Sequence, residues 1–252
     1  MKAVPQKPPR KISSAVDLAR IISSLPDGHR FLFRGQNVNL PPLPRLAREA
    51  QKLNLTAEQV LNIEQVMLDR FRHESMPFLQ GVRPATDFDW LSLAQHHGLP
   101  TRLLDWTAHA LAALWFAVAN DPPQDVSEGV VWVLKVAQKN EVKPDQLTKV
   151  FELKRTYVFQ PFHIDRRIAA QAGWFSIHWY SEGPNKFFSL DRIRTFKDSL
   201  EGYAVPKKQF NKIRKELRLL GVTEATLFPD LSGLSAEIQA ESLGSLRPTP
   251  TI

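Results

Sequence analysis

The chain has 252 residues, 43% of them hydrophobic, with 33 Lys and Arg against 26 Asp and Glu for a net charge of +7. No window reaches the roughly 18 to 20 apolar residues of a membrane span, and the apolar pieces behind the basic, Pro-rich start are too broken for a secretory h-region, so a cytoplasmic protein with no membrane partner is expected. The absence of cysteine excludes disulfides and thiolate metal sites. Residues 1–13 hold three prolines and four basic residues with little to bury, which predicts a flexible arm. Ser14 can cap a helix carrying Leu18, Ile21, Ile22 and Leu25, which Pro26, Asp27 and Gly28 stop. The run "FLFRG" reads as a strand in the middle of a sheet, ending on Arg34 and Gly35. "QNVNLPPLPRLAR" carries too many prolines for regular structure and is expected to loop over the surface.

A long helix follows from Thr56 to about Met76, with Val60, Ile63, Met67 and Phe71 on its apolar face. A shorter one starts near Thr86 and stops at Gly98, and its spacing puts Trp90, Leu93, Ala94 and His97 on one face, with His96 turned away from it. After Pro100 come extended residues, "RLLDW", and then "AHALAALWFAVA", a helix apolar all round and so buried all round. The valine-rich "GVVWVLKVA" is expected to be a covered strand. "GWFSIHWY" is a further strand, Pro206 to Leu220 an amphipathic helix, and Leu234 to Leu243 a last helix before a disordered tail at 245–252. No repeat and no shift of composition divides the chain. The expected architecture is one α+β domain over residues 14–244, with a mixed central sheet flanked by helices.

The segment "HHGLPTRLLDW" sets two histidines, Arg102 and Asp105 against the most apolar run of the chain. An unpaired charge there costs several kcal/mol, so the two must pair, meet a ligand or reach a solvent-filled cleft. Paired, they are a structural latch. Lining a cleft, Arg102 and Arg34 are fork-shaped donors suited to phosphate or carboxylate. "HHG" lacks the i, i+4 spacing that puts two imidazoles on one metal, and no G-x-S-x-G elbow, Walker A loop or G-x-G-x-x-G is present. The helix "PKKQFNKIRKELRLL" carries six basic residues and one acidic one; it is either a solvated face or, with the basic arm, a track for nucleic acid phosphates.

"FLFRGQ", "WLSLAQHHGLPTRLLDWTAHALAALWFAVA", "FQPFHIDRRIAAQAGWFSIH" and the closing "TEATLFPDLSGLSAEI" resemble the FRG domain, named for its aromatic-Arg-Gly motif, over residues 15 to 240. No settled reaction comes with that family, whose occurrence is mainly bacterial and phage-related. The order of a strand ending in aromatic-Arg-Gly and then "LLDWT" running into a helix is also similar to the ADP-ribosyltransferases of the arginine-serine-glutamate type. That second resemblance implies NAD as substrate, a defence or toxin-like role, Arg34 gripping a phosphate of NAD and Thr107 orienting the nicotinamide ribose. The Glu-x-Glu of that family is missing; Gln160, Asp165 and Gln171 stand in its segment, and Asp105 could supply the carboxylate from the second motif.

Three readings follow. In the first, an enzyme or binder of NAD or another nucleotide uses Arg34, Asp105, Thr107 and Gln171 for chemistry. Gly35, Gln36, Gln95, His96, Thr101, Arg102, Trp106 and Arg166 hold the ligand, and all converge on one concave pocket. In the second the chain binds nucleic acid through its basic surface, and in the third the motif is a keystone of an interaction protein.

Overall fold

The computed structural model describes residues 10–79, 84–142, 150–161, 166–180 and 188–244. Its β-rich runs β1 (Arg30–Gln36), β2 (Leu103–Thr107), β3 (Glu128–Val136), β4 (Tyr157–Phe159), β5 (Gly173–Ile177) and β6 (Leu200–Pro206) form one open sheet in the order β4-β5-β2-β1-β3-β6. The fold is α+β and β1 lies at the centre, as its apolar sequence predicts. All five ladders are antiparallel, where a mixed sheet was expected. The reason lies in one connection. The α5 helix (Ala110–Val118) carries the chain from β2 across to β3, which therefore run parallel, but β1 sits between them and pairs antiparallel with both.

Parallel pairing among the described residues is confined to two isolated bridges, one on each sheet edge, Lys11 with Ala204 and Glu141 with Val158. They cover edge backbone that would otherwise stay open to another chain. The first corrects the expected arm: Ile12 is fully buried, its N–H donates to the Ala204 carbonyl at 2.8 Å, and Ala204 N–H donates back to Arg10 at 3.1 Å. Residues 1–9 and 245–252, the rest of the arm and the expected tail, lie outside the described residues.

One sheet face carries two helical layers. Over β1, β3 and β6 lie α1 (Ala15–Ser23), capped by Ser14 as expected, α5, and α7 (Phe210–Leu219), closing a core of Phe33, Leu114, Val131, Tyr203 and Ile213. Over β2, β5 and β4 lie α3 (Ala57–Ser75) and α4 (Asp87–His96), around Leu68, Phe88, Leu103, Phe159 and Phe175. Leu190 and Phe196, from the two short turns before β6, cover Leu32, Leu104, Trp106 and Trp174 on the opposite face.

Three expectations change. The last four residues of the proline-rich segment are helical: α2 (Arg45–Lys52) starts directly after Pro44, and Leu43, Leu46, Ala47 and Ala50 are buried against Val60 and Tyr180. Proline is well placed before a first turn, whose N–H groups have no helical partner. The inward stripe of α3 is Val60, Glu64 and Leu68, while Ile63 is exposed, because Glu64 turns inward and takes the helix with it. His97 is exposed, for α4 ends at His96 and the periodicity that put His97 inward ends there too; Gly98 follows at φ +89, the left-handed conformation of a helix stop. The short elements β4, β6, α6 (Arg166–Ala170) and α8 (Glu224–Leu227) complete the fold with α9 (Leu231–Gly244).

Candidate functional site

The site begins with a glycine. A Cβ on Gly35 would lie 1.7 Å from the Ala113 carbonyl oxygen, so α5 rests directly on the β1 backbone at this point. Gly35 thus faces the helix, and strand alternation sends Arg34 to the other side. There β1 and β2 separate: their ladder holds the single pair Phe33 with Thr107. The Arg34 guanidinium fills the opening, donating from Nη1 to the Asp105 backbone carbonyl at 2.8 Å and from Nε to Gln36 Oε1 at 3.1 Å. Gln36 is itself held by its amide donating to the Leu40 carbonyl at 3.0 Å.

A second chain of hydrogen bonds reaches the same place from α4. The Leu103 N–H donates to Thr101 Oγ1 at 3.0 Å, the Thr101 hydroxyl donates to Gln95 Oε1, and Gln95 Nε2 donates to Asp105 Oδ1 at 3.0 Å. The Asp105 side chain is 61% exposed, with Oδ2 3.6 Å from Arg34 Nη1.

The helix that the proline-rich segment concealed supplies two more cations. Arg45 and Arg48 of α2 join Arg34, Gln95, Gly98 and Asp105 around a cleft of about 210 Å³. Each guanidinium is tethered by one N–H to a backbone carbonyl: Arg34 to Asp105, Arg45 to Gly98 and Arg48 to Leu43. Burial, with repulsion from Arg48, lowers the Arg34 pKa against the pull of Asp105; burial lowers that of Arg48 against the pull of Glu49, with repulsion from Arg45 adding to burial and Asp105 opposing it. Three cations face one another across a space in which Asp105 is the one carboxylate of the lining. Backbone tethers fix position without neutralising charge, and a phosphate or carboxylate entering the cleft would meet prepositioned fork donors. The sequence signal for α2 was the 46, 47, 50 spacing behind a proline, overridden by the prolines before it.

Arg102 has the opposite environment. It and Glu64 are each 1% exposed; Nε donates to Glu64 Oε2 at 2.6 Å, the backbone N–H to Oε1 at 2.7 Å, and Nη1 to the Val150 carbonyl at 3.2 Å. Phe151 and Tyr180 lie within about 5 Å of the guanidinium. This is the latch, and its partner is Glu64, which an apolar-face reading of α3 could not count as inward.

The remaining expected residues divide. Trp106 is buried on the far face, its indole N–H donating to Ser176 Oγ at 3.0 Å, and Ser176 in turn bonds His178 Nε2 at 3.1 Å. Burial pushes the His178 pKa down to about 3, a hydrogen bond with the Phe188 backbone opposes this, and Arg34 and Arg102 add to it. Thr107 and Gln171 meet at the other end of β2, where the Thr107 hydroxyl donates to the Gln171 carbonyl at 2.5 Å and Gln171 Nε2 donates to the Leu227 carbonyl at 3.1 Å. They stand beside a second, more apolar hollow of about 530 Å³ lined by Phe33, His109, Leu111 and Leu227. His96 is half-buried, edge-on to His97. Arg166 opens α6; its side chain and Asp165 lie outside the described part of the structure. One pocket was expected; of its residues Arg34, Gln95 and Asp105 line the cleft, Gln36 and Thr101 hold Arg34 and Gln95 from behind, and Thr107 and Gln171 do not join them.

Three of the six basic residues of the basic helix pair with carboxylates. Arg214 pairs with Asp121 at 2.6 Å, Arg218 with Glu237 at 2.8 Å and Glu241 at 3.3 Å, and Lys212 with Glu216 at 3.7 Å. Among the described residues no helix is long and apolar enough to cross a membrane.

Residues 29–126 match the family model of the FRG domain. The chain carries an FRG domain. The match runs from the start of β1 to the loop after α5 and contains every residue that lines the arginine cleft. The segments that supply β3 to β6 and α6 to α9 lie beyond it. No curated protein and no solved structure matches the chain at a significant level, so the likeness to ADP-ribosyltransferases rests on motif order alone.

Proposed function

We propose that this FRG domain binds a phosphate-bearing small molecule, a nucleotide in the first instance, in the cleft of Arg34, Arg45 and Arg48. The observation that carries the reading is three guanidiniums converging on one space, each tethered to a carbonyl and accompanied by a single exposed carboxylate. Elsewhere in the fold, Arg102, Arg167, Arg214 and Arg218 each meet a carboxylate at a shorter distance than the 3.6 Å between Arg34 and Asp105. A volume of about 210 Å³, below the roughly 300 to 1,000 Å³ of sites that enclose a drug-sized ligand, suits one phosphate with its sugar. A dinucleotide such as NAD would seat one half and project from the open side.

NAD cleavage or ADP-ribose transfer is the finer version of this reading. Its support is the motif order, Arg34 as phosphate grip and Asp105 as the carboxylate positioned to steady an oxocarbenium-like ribose. Thr107 and Gln171 take no part in it, and a defence or toxin-like role rests on the family resemblance. Calorimetry and thermal shift with NAD, ADP-ribose, ATP and pyrophosphate, on the native chain and on Arg48→Ala, test the proposal. Binding that weakens about tenfold or more in the variant is expected, the worth of a charge-assisted hydrogen bond. No binding of any phosphate, or binding indifferent to Arg48, overturns it. Nicotinamide release from NAD, lost in Asp105→Asn, would extend it to catalysis.

A further inference from the structure

Asp105 is at odds with a site for bare anions. A carboxylate a few ångströms from a bound phosphate repels it, yet the chain fixes Asp105 in place rather than leaving it to swing away. The relay from Leu103 through Thr101 and Gln95 ends on Oδ1 at 3.0 Å. A carboxylate only accepts, so this relay also fixes which way the Gln95 amide points. Oδ2 lies 3.6 Å from Arg34 Nη1, an ion-pair distance, and with the side chain 61% exposed the carboxylate keeps further acceptor capacity in the lining of the cleft. The lining therefore presents two chemistries: guanidinium donors from α2 and β1, and one fixed carboxylate acceptor beside Arg34.

A ligand that satisfies both must carry an anion and a hydroxyl donor within a few ångströms of each other. We propose that the cleft selects a phosphorylated polyol, with the phosphate on Arg45, Arg48 and Arg34 and a free hydroxyl donating to Asp105 Oδ2. This narrows the phosphate reading given above and rests on it. Asp105 is then a specificity residue: it penalises pyrophosphate and the DNA backbone, which have no hydroxyl beside the phosphate, and rewards a sugar phosphate. The same chemistry is offered by a free sugar phosphate and by a nucleotide with an intact ribose diol.

Calorimetry with four probes separates these cases: pyrophosphate, ribose 5-phosphate, 5′-AMP and 2′,3′-dideoxy-AMP, each on the native chain, Asp105→Asn and Arg48→Ala. In the native chain 5′-AMP is expected to bind about tenfold tighter than its dideoxy analogue, the worth of a hydrogen bond to a charged acceptor. In Asp105→Asn that ratio falls to within about twofold, while pyrophosphate tightens about tenfold as the repulsion goes. Ribose 5-phosphate matching 5′-AMP identifies a free sugar phosphate as sufficient, and a clear preference for 5′-AMP identifies a nucleotide; either outcome supports the shared chemistry. A diol preference near one in the native chain, a preference unchanged in Asp105→Asn, or pyrophosphate weakened by that variant overturns the inference and leaves the anion site standing. Pyrophosphate that binds neither native chain nor Asp105→Asn, or binds independently of Arg48, overturns both. Asp105 is exposed, so the variant is expected to keep the native melting temperature, which the same samples report.

Discussion

Arg102→Met is the sharpest perturbation of the fold. The substitution keeps the length and apolar stem of the side chain and removes the guanidinium, leaving Glu64 1% exposed with one remaining hydrogen bond among the described residues, from the Arg102 backbone N–H at 2.7 Å. Breaking a buried pair by removing one member costs about 3 to 5 kcal/mol, because the other charge stays behind without compensation. For a chain of this size each kcal/mol is worth roughly 2 to 4 °C in Tm, which puts the shift between about 6 and 20 °C. Urea denaturation followed by the fluorescence of the six tryptophans, alongside thermal melts, reads both quantities. The double variant Glu64→Leu with Arg102→Met leaves no orphaned charge and is expected to be more stable than either single variant. A loss below about 1 kcal/mol in Arg102→Met, or a double variant as unstable as the sum of the singles, would refute the latch. A variant that keeps its stability and instead loses phosphate binding would return Arg102 to the ligand.

Two further substitutions test particular contacts. Gly35→Ala puts a methyl 1.7 Å from the Ala113 carbonyl oxygen, backbone against backbone, and is expected to cost more than the roughly 1 to 3 kcal/mol of ordinary overpacking; a melting temperature within a degree of native would show that α5 can lift off β1 freely. His178 is neutral in the fold, with its pKa lowered to about 3 from 6.5, so the unfolded chain binds the extra proton and stability falls as pH drops below about 6.5. The slope is about 1.4 kcal/mol per pH unit, or about 2 kcal/mol between pH 6.5 and 5, with no contribution above pH 6.5. His178→Gln should flatten that part of the urea-derived stability curve, and an unchanged slope in the variant would assign the acid sensitivity to other groups.

Much of the architecture was legible because it follows from periodicity. Thr56 and Thr86 cap α3 and α4, Gly98 stops α4, and the apolar run after His109 becomes the helix over the central strand. What the sequence concealed has two physical causes. Local composition outweighed weak signals at α2, where a dense set of prolines hid a helix carrying two of the three cleft arginines. Long-range pairing was invisible at Glu64, whose inward position makes sense only beside Arg102, 38 residues away. The site was half legible for the same reason: Arg34, Gln95 and Asp105 lie in motifs dense with polar groups, whereas Thr107, although two residues from Asp105, belongs to the other end of the strand.

The parting of β1 from β2 reaches beyond ligand binding. Three strands on one side and three on the other share one paired position, Phe33 with Thr107, against seven between β1 and β3 and five between β2 and β5. Backbone cohesion is therefore weakest along the middle of the sheet, a seam crossed by the side chain of Arg34 and roofed by α5. A molecule seated there touches β1, β2 and α2 together and acts as a stitch across the two halves. A ligand in that small polar cleft would therefore add cohesion where the sheet has least of its own.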